Sequence, residues 1–162
     1  MKYYTIKIKN KNYELRDIQN DFIRDSKLPT SVATNIMCGL KYIIRCDKAN
    51  KLLQDLSKAK VYLTFALNRI KEIGYEDIKL PSEYNFVEKP NHYQISVNGE
   101  KIEVIDLRND FLDNFIADKG IARELGEVLK YIFRAGKKEN TSKDLLKAIN
   151  CLDNAIKIAE KI

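Results

Sequence analysis

The feature that most constrains this chain is an internal repeat. Shifted by 89 residues, the sequence aligns on itself without a gap, residues 4–73 falling on 93–162. "YTIKIKNKNYELRDIQNDF" lies over "YQISVNGEKIEVIDLRNDF", and "LKYIIRCDK" lies over "LKYIFRAGK". About 21 of the 70 aligned positions are identical. A fixed period of this kind signals a repeated structural unit. The chain therefore divides into a first repeat over 1–73, a linker over 74–92 and a second repeat over 93–162. A unit of ~70 residues is marginal for an independent core. The two repeats are thus expected to pack together about a pseudo-two-fold axis, as a pseudo-dimer fused into one chain.

Each repeat reads as a β-hairpin followed by three helices, giving a mostly helical α+β class. Asn98-Gly99 between two alternating runs is a strong hairpin signal. Asn10-Lys11 marks a weaker turn in the first repeat. A short amphipathic helix follows, over 17–25 and 106–118. In the next helix Ile121, Leu125, Val128, Leu129, Ile132 and Phe133 form one apolar face, and Gly136 lies just past its end. The last helix is expected over 55–73 and 142–161, with Ser142 as N-cap and Gly74 as a stop. Pro81 and Pro90 break helix in the linker. Its aromatics Tyr75, Tyr84 and Phe86 are expected to pack on the repeats.

Composition excludes several classes. No stretch approaches the length of a membrane span, and the lysine-rich start has no signal-peptide apolar region. An apolar fraction of 44% argues against disorder. Cys38, Cys46 and Cys151 have no metal or redox spacing and read as reduced thiols in a cytoplasm. The lone His92 rules out a His-rich metal site, so no metal is expected.

The chemistry-bearing cluster is the shared "LKYI[I/F]R" block and the lysine after it. Lys41, Tyr42, Arg45 and Lys48 correspond to Lys130, Tyr131, Arg134 and Lys137, with Lys138 added in the second repeat. An arginine fork with neighbouring ammonium groups suits phosphate oxygens; cations at a helix C-terminus also favour the macrodipole. The tyrosines read as structural groups turned toward the core or as base-stacking platforms. Asn109-Asp110, repeated as Asn20-Asp21, fits a ribose contact or a turn cap. His92-Tyr93, before the second hairpin, has an imidazole only once per chain. No GxxxxGK[ST] or GxGxxG loop is present, and no catalytic residue is assigned. The "ELGE" segment with Arg123, Glu124 and Glu127 is similar to a helix of all-α nucleotide pyrophosphatases. The further carboxylates that such a site needs are not matched by Asp144 and Asp153, which fall on different helix sides.

The second repeat resembles a domain family found widely in bacteriophages and related to the coliphage T-seven nucleotide kinase, which lacks a P-loop. The resemblance rests on Lys89-Pro90 with His92-Tyr93, on Ile102-Glu103 with Ile105, on the block from Gly126 to Lys138 and on Asp144-Leu145 with Lys147-Ala148. Glu127 departs from the asparagine usual there, and the first repeat is a degenerate version. The resemblance implies a phage-encoded nucleotide-binding protein acting in the cytoplasm of an infected host. One reading is an anti-defence sponge that sequesters a nucleotide-derived small molecule, such as a cyclic nucleotide or cyclic ADP-ribose variant, without converting it. That reading needs no cofactor and fits a homo-oligomer built from the pseudo-dimer. The alternative is a nucleoside monophosphate kinase, which would use ATP and magnesium. The net charge of +6 is spread among many acids, without a basic run interleaved with aromatics, which argues against a nucleic-acid partner.

Overall fold

The computed structural model describes residues 3–77, 94–137 and 140–162. His92, Tyr93, Lys138, Tyr84 and Phe86 lie outside the described residues. The fold is mostly helical α+β. The first repeat contains β1 (Thr5–Ile8), β2 (Lys11–Glu14), α1 (Leu15–Asp25), α2 (Thr30–Arg45) and α3 (Leu52–Ile73). The second contains β3 (Gln94–Val97), β4 (Glu100–Glu103), α4 (Val104–Asn114), α5 (Lys119–Arg134) and α6 (Thr141–Glu160). Every element starts 89 residues after its counterpart.

The hairpins are separate two-stranded antiparallel sheets. Pairing of Ile8 with Lys11 and of Val97 with Glu100 leaves a two-residue loop in each. The first turn is therefore Lys9-Asn10, one residue earlier than the sequence indicates. Both residues have positive φ, as Asn98 and Gly99 do, and this is the type of turn that twists with its strands. Each hairpin is too small to stand alone. It leans on the helices through alternate residues, Ile6 and Ile8 in β1, Ile95 and Val97 in β3, all buried.

Helix ends also refine the expectations. The helix expected over 106–118 stops at Asn114, because Asp118 is needed as the N-cap of α5. Its carboxylate accepts from the amides of Gly120 (2.7 Å) and Ile121 (3.1 Å). The N-cap of α6 is Asn140, which accepts from the amide of Lys143, and not Ser142. Thr141 is the first helical residue, and its hydroxyl accepts from the Gly136 amide. Gly136 and Gly74 both take the left-handed conformation where a helix is leaving off. Tyr75 packs against the core.

The helices of each repeat form an α2–α3 or α5–α6 hairpin, and α3 packs on α6. The six apolar residues read from α5 are all fully buried. They join Ile36, Leu40 and Leu63 of the first repeat in one continuous core.

Contacts between the repeats come in reciprocal pairs. The Asn98 amide donates to Asp21 Oδ2 and the Lys9 amide to Asp110 Oδ2, both at 2.6 Å. Asn98 Nδ2 donates to Asp17 Oδ2, while Lys9 Nζ pairs with Asp106. Each donor and each acceptor lies 89 residues from its counterpart. The Asp of the repeated Asn-Asp pair is thus a cap on the other repeat's hairpin turn, whereas Asn109 is exposed.

Asp21 is buried, so removing its carboxylate strands the Asn98 amide. Asp21→Ala should lower unfolding free energy in urea by about 1–3 kcal/mol, and exposed Asn20→Ala by less than about 0.5 kcal/mol.

Candidate functional site

The repeated block ends α2 and α5, and its arginines turn inward. Arg134 donates through Nε (3.3 Å) and Nη2 (2.7 Å) to the two oxygens of Asp144 at the start of α6. Arg45 does the same to Asp55, at 3.1 and 2.7 Å, and its Nη1 also donates to Tyr4 Oη. The acids are 6% and 0% exposed as side chains. Asp55 and the Tyr4 hydroxyl hold the Arg45 guanidinium well above its ordinary pKa. These forks, read from sequence as phosphate clamps, are spent on buried bidentate pairs that staple consecutive helices. The Asp that completes each pair is ten residues downstream, a spacing legible only once the helical hairpin is known.

The lysines after the helix are also engaged. Lys137 Nζ donates to the Gln94 carbonyl at 2.5 Å, and Lys48 Nζ to the Thr5 carbonyl at 3.3 Å. Each ties the end of a helix to the first strand of its own repeat. Burial pushes the Lys137 ammonium down to about 8, against a smaller opposing pull from Asp25. Desolvation lowers Lys48 as well.

Outward of the arginines, each repeat builds a collar of three cations around one tyrosine. Lys130 Nζ, Arg134 Cζ and Lys147 Nζ lie 4.7, 5.1 and 5.5 Å from the Tyr131 ring centre. Lys41, Arg45 and Lys58 lie 4.7, 5.2 and 5.4 Å from that of Tyr42. The agreement between repeats is within a few tenths of an ångström. Tyr131 and Tyr42 are half-buried and rest on the core, as the structural reading of the tyrosine expects. The face of Tyr42 also stacks on Tyr62, with centroids 5.7 Å apart and planes 15° apart.

Lys58 and Lys147 were not singled out as site residues from sequence. Their signal was present, since both belong to the repeated D-L-x-K-A segment. Tyr62 corresponds to Cys151 and carried no such signal.

The collars differ in neutralisation. Lys130 pairs with Glu127 at 2.8 Å, with Arg108 at 3.9 Å from the same carboxylate group. The Lys130 hydrogen bond holds Glu127 below the usual carboxylate range. Cys38 stands at the corresponding place in the first repeat, so the collar around Tyr42 lacks this acid. A pocket of about 370 Å³ borders Lys41, lined also by Tyr4, Glu14, Arg16 and Gln19. The sequence favours the second repeat as the better-equipped one on His92 and Lys138, which lie outside the described residues.

Two of the thiols, Cys46 and Cys151, are not activated. Burial drives Cys46 far above its ordinary pKa and Cys151 up to about 11, away from reactive thiolate. Among the described residues, no three His, Cys, Asp or Glu side chains gather as metal ligands would, and no helix is long and apolar enough to cross a membrane.

The fold and its surface define a tandem-repeat α+β protein with a basic, aromatic collar on each repeat. Residues 87–157 match a family described as a protein of unknown function (DUF3310), which spans most of the second repeat. No curated protein and no solved structure matches the chain.

Arg134→Ala leaves the Asp144 carboxylate buried without its main partner. It should destabilise the chain by about 3–5 kcal/mol in chemical unfolding, a loss that Asp144→Ala does not double. A pH series tests Lys137. Its folded pKa near 8 lies below the ordinary 10.5, so between those values the unfolded chain binds more protons. Its contribution to stability therefore rises from pH 8 to 10.5 and is flat below 8. Lys137→Met should remove that rise when wild-type and variant unfolding curves are subtracted.

Proposed function

We propose that this chain binds a nucleotide-derived small molecule and holds it without converting it. The observation that carries the reading is the pair of cation collars around Tyr42 and Tyr131. Three cations gathered on one ring repel each other, and the inward arginine is neutralised by its own aspartate. Lys130 is offset by Glu127, so Lys41, Lys58 and Lys147, all directed at a tyrosine ring, carry the reading. Such an arrangement suits an anionic group drawn to the lysines beside the ring.

In this proposal the chain is a fused pseudo-dimer with one collar per repeat. The reciprocal hydrogen bonds of Asp21 and Asp110 support that symmetry. The resemblance of the block from Gly126 to Lys138 to phage nucleotide kinase-like domains supports a nucleotide as ligand, the cytoplasm of an infected cell as the place of action, and capture of a host signalling nucleotide as the role. His92, Tyr93 and Lys138 are included as ligand contacts on that resemblance. Further copies of the chain would enclose the ligand more completely.

The test is mass spectrometry of small molecules released on denaturing the purified chain after incubation with a panel of mono-, di- and cyclic nucleotides. Recovery of unchanged nucleotide, reduced at least tenfold in Lys58→Ala/Lys147→Ala, is expected. A phosphorylated or hydrolysed product would replace sequestration by catalysis, and retention by the double variant would displace the collars.

A further inference from the structure

The reciprocal packing creates two seams, and they are not alike. One lies between α1 and β3, lined by Asp21, Phe22, Asp25, Ile95 and Lys137, and encloses about 40 Å³. The other lies between α4 and β1, and encloses about 180 Å³. The difference follows from two residues. Phe133 packs edge-on against Phe22, with centroids 6.1 Å apart, but its counterpart behind the other seam is the smaller Ile44. Leu28 closes tightly on Gly136, where the corresponding pair is Ala117 and Asp47.

The open seam has chemically distinct walls. Phe111 and Phe115, with centroids 5.4 Å apart, form one side. Ile6 and Ile44 supply apolar surface, and Asp47, Lys48 and Asn114 supply a polar edge. Asp47 holds the Ile116 amide at 2.9 Å and Asp110 holds the Lys9 amide at 2.6 Å, so the edge is fixed in place by the fold. A cavity of about 150 Å³ accommodates a benzene ring, so this partly open pocket has room for one ring. Two carboxylates, Asp47 and Asp110, balance two ammonium groups, Lys7 and Lys48, on its lining, so the seam carries no net charge that selects an anion. A neutral flat ring with hydrogen-bonding edges meets the aromatic wall and the polar edge together.

We propose that the seam between α4 and β1 is a binding site for one heteroaromatic ring of nucleobase size. The site is separate from the anion collars and does not depend on them. The ring could arrive as a free base or as part of a nucleotide, and the experiment separates the two.

Saturation-transfer NMR and calorimetry on the full chain would use free adenine, guanine, cytosine and uracil, then their monophosphates. At least one free base is expected to bind. Ile44→Phe, which gives this seam the ring that Phe133 supplies to the other, should weaken that base at least tenfold. Asn114→Trp is an independent closure at an exposed residue that lines the seam and should act the same way. It also serves if Ile44→Phe fails to fold, as judged by thermal unfolding. Lys58→Ala/Lys147→Ala should leave free-base binding unchanged. Binding of the monophosphates alone, untouched by either closure, would overturn the seam site while leaving the collars intact. Absence of binding by all eight compounds, or free-base binding that survives both closures, would also overturn it.

Discussion

Everything in this molecule depends on the reciprocal bond between a hairpin turn and a carboxylate of the other repeat. A two-stranded hairpin has little stability of its own, and a ~70-residue repeat has little core. Asp21 and Asp110 address both shortages. Each fixes the turn of a hairpin it does not belong to. The hairpin then lies across the opposite repeat's first helix, and its apolar face joins the common core. Neither repeat can swing away without stranding a backbone amide and uncovering Ile6 and Ile8, or Ile95 and Val97. The seams, and hence the unequal cavities behind them, are consequences of this exchange.

The buried Arg–Asp pairs add a second constraint of a different kind. A salt bridge out of water is weak evidence for stability, because desolvation offsets much of the attraction. Its value here is geometric. The fork fixes the end of one helix against the start of the next, in both repeats, with the same two donor atoms. That fixes the tyrosine three residues before the arginine and the lysine three residues after the aspartate. The collar is therefore assembled by a pair that does not itself face outward. A lysine at the arginine position would supply charge without the planar fork, and the collar would lose its alignment.

The repeat, the hairpins, three helices per unit and the apolar face of α5 were legible in the sequence, because each leaves a periodic trace. The 89-residue offset predicted the structure element by element. What escaped was longer-range. Asp118 could be read as part of a helix running from Asp106, because only the onset of α5 reveals it as a cap. Asn10-Lys11 looked like the turn until strand pairing placed Lys9-Asn10 there. Arg45 and Arg134 looked available to a ligand, since their acids arrive on the following helix. The seam cavity left no trace in local pattern at all. It depends on Ile6, Ile44 and Phe111, which come from β1, α2 and α4 and meet only in the assembled fold.

A duplicated chain supplies its own comparison, and this narrows what the collars are for. Positions identical in both repeats fall into groups with visible work: Ile6/Ile95 and Leu40/Leu129 in the core, Asp21/Asp110 at the turns, Arg45/Arg134 with Asp55/Asp144 between helices. Lys41/Lys130 and Lys58/Lys147 are identical too, yet sit outside the core and add positive charge beside an arginine. Lys130 has its ion pair with Glu127; for the other three the cation–π contact is worth only about 1 kcal/mol, and the mutual repulsion opposes it. Residues around the seam changed instead: Phe133 against Ile44, Leu28 against Ala117, Gly136 against Asp47. The retained charges are what the proposed anion site draws on, and the altered seam is what the proposed ring site draws on.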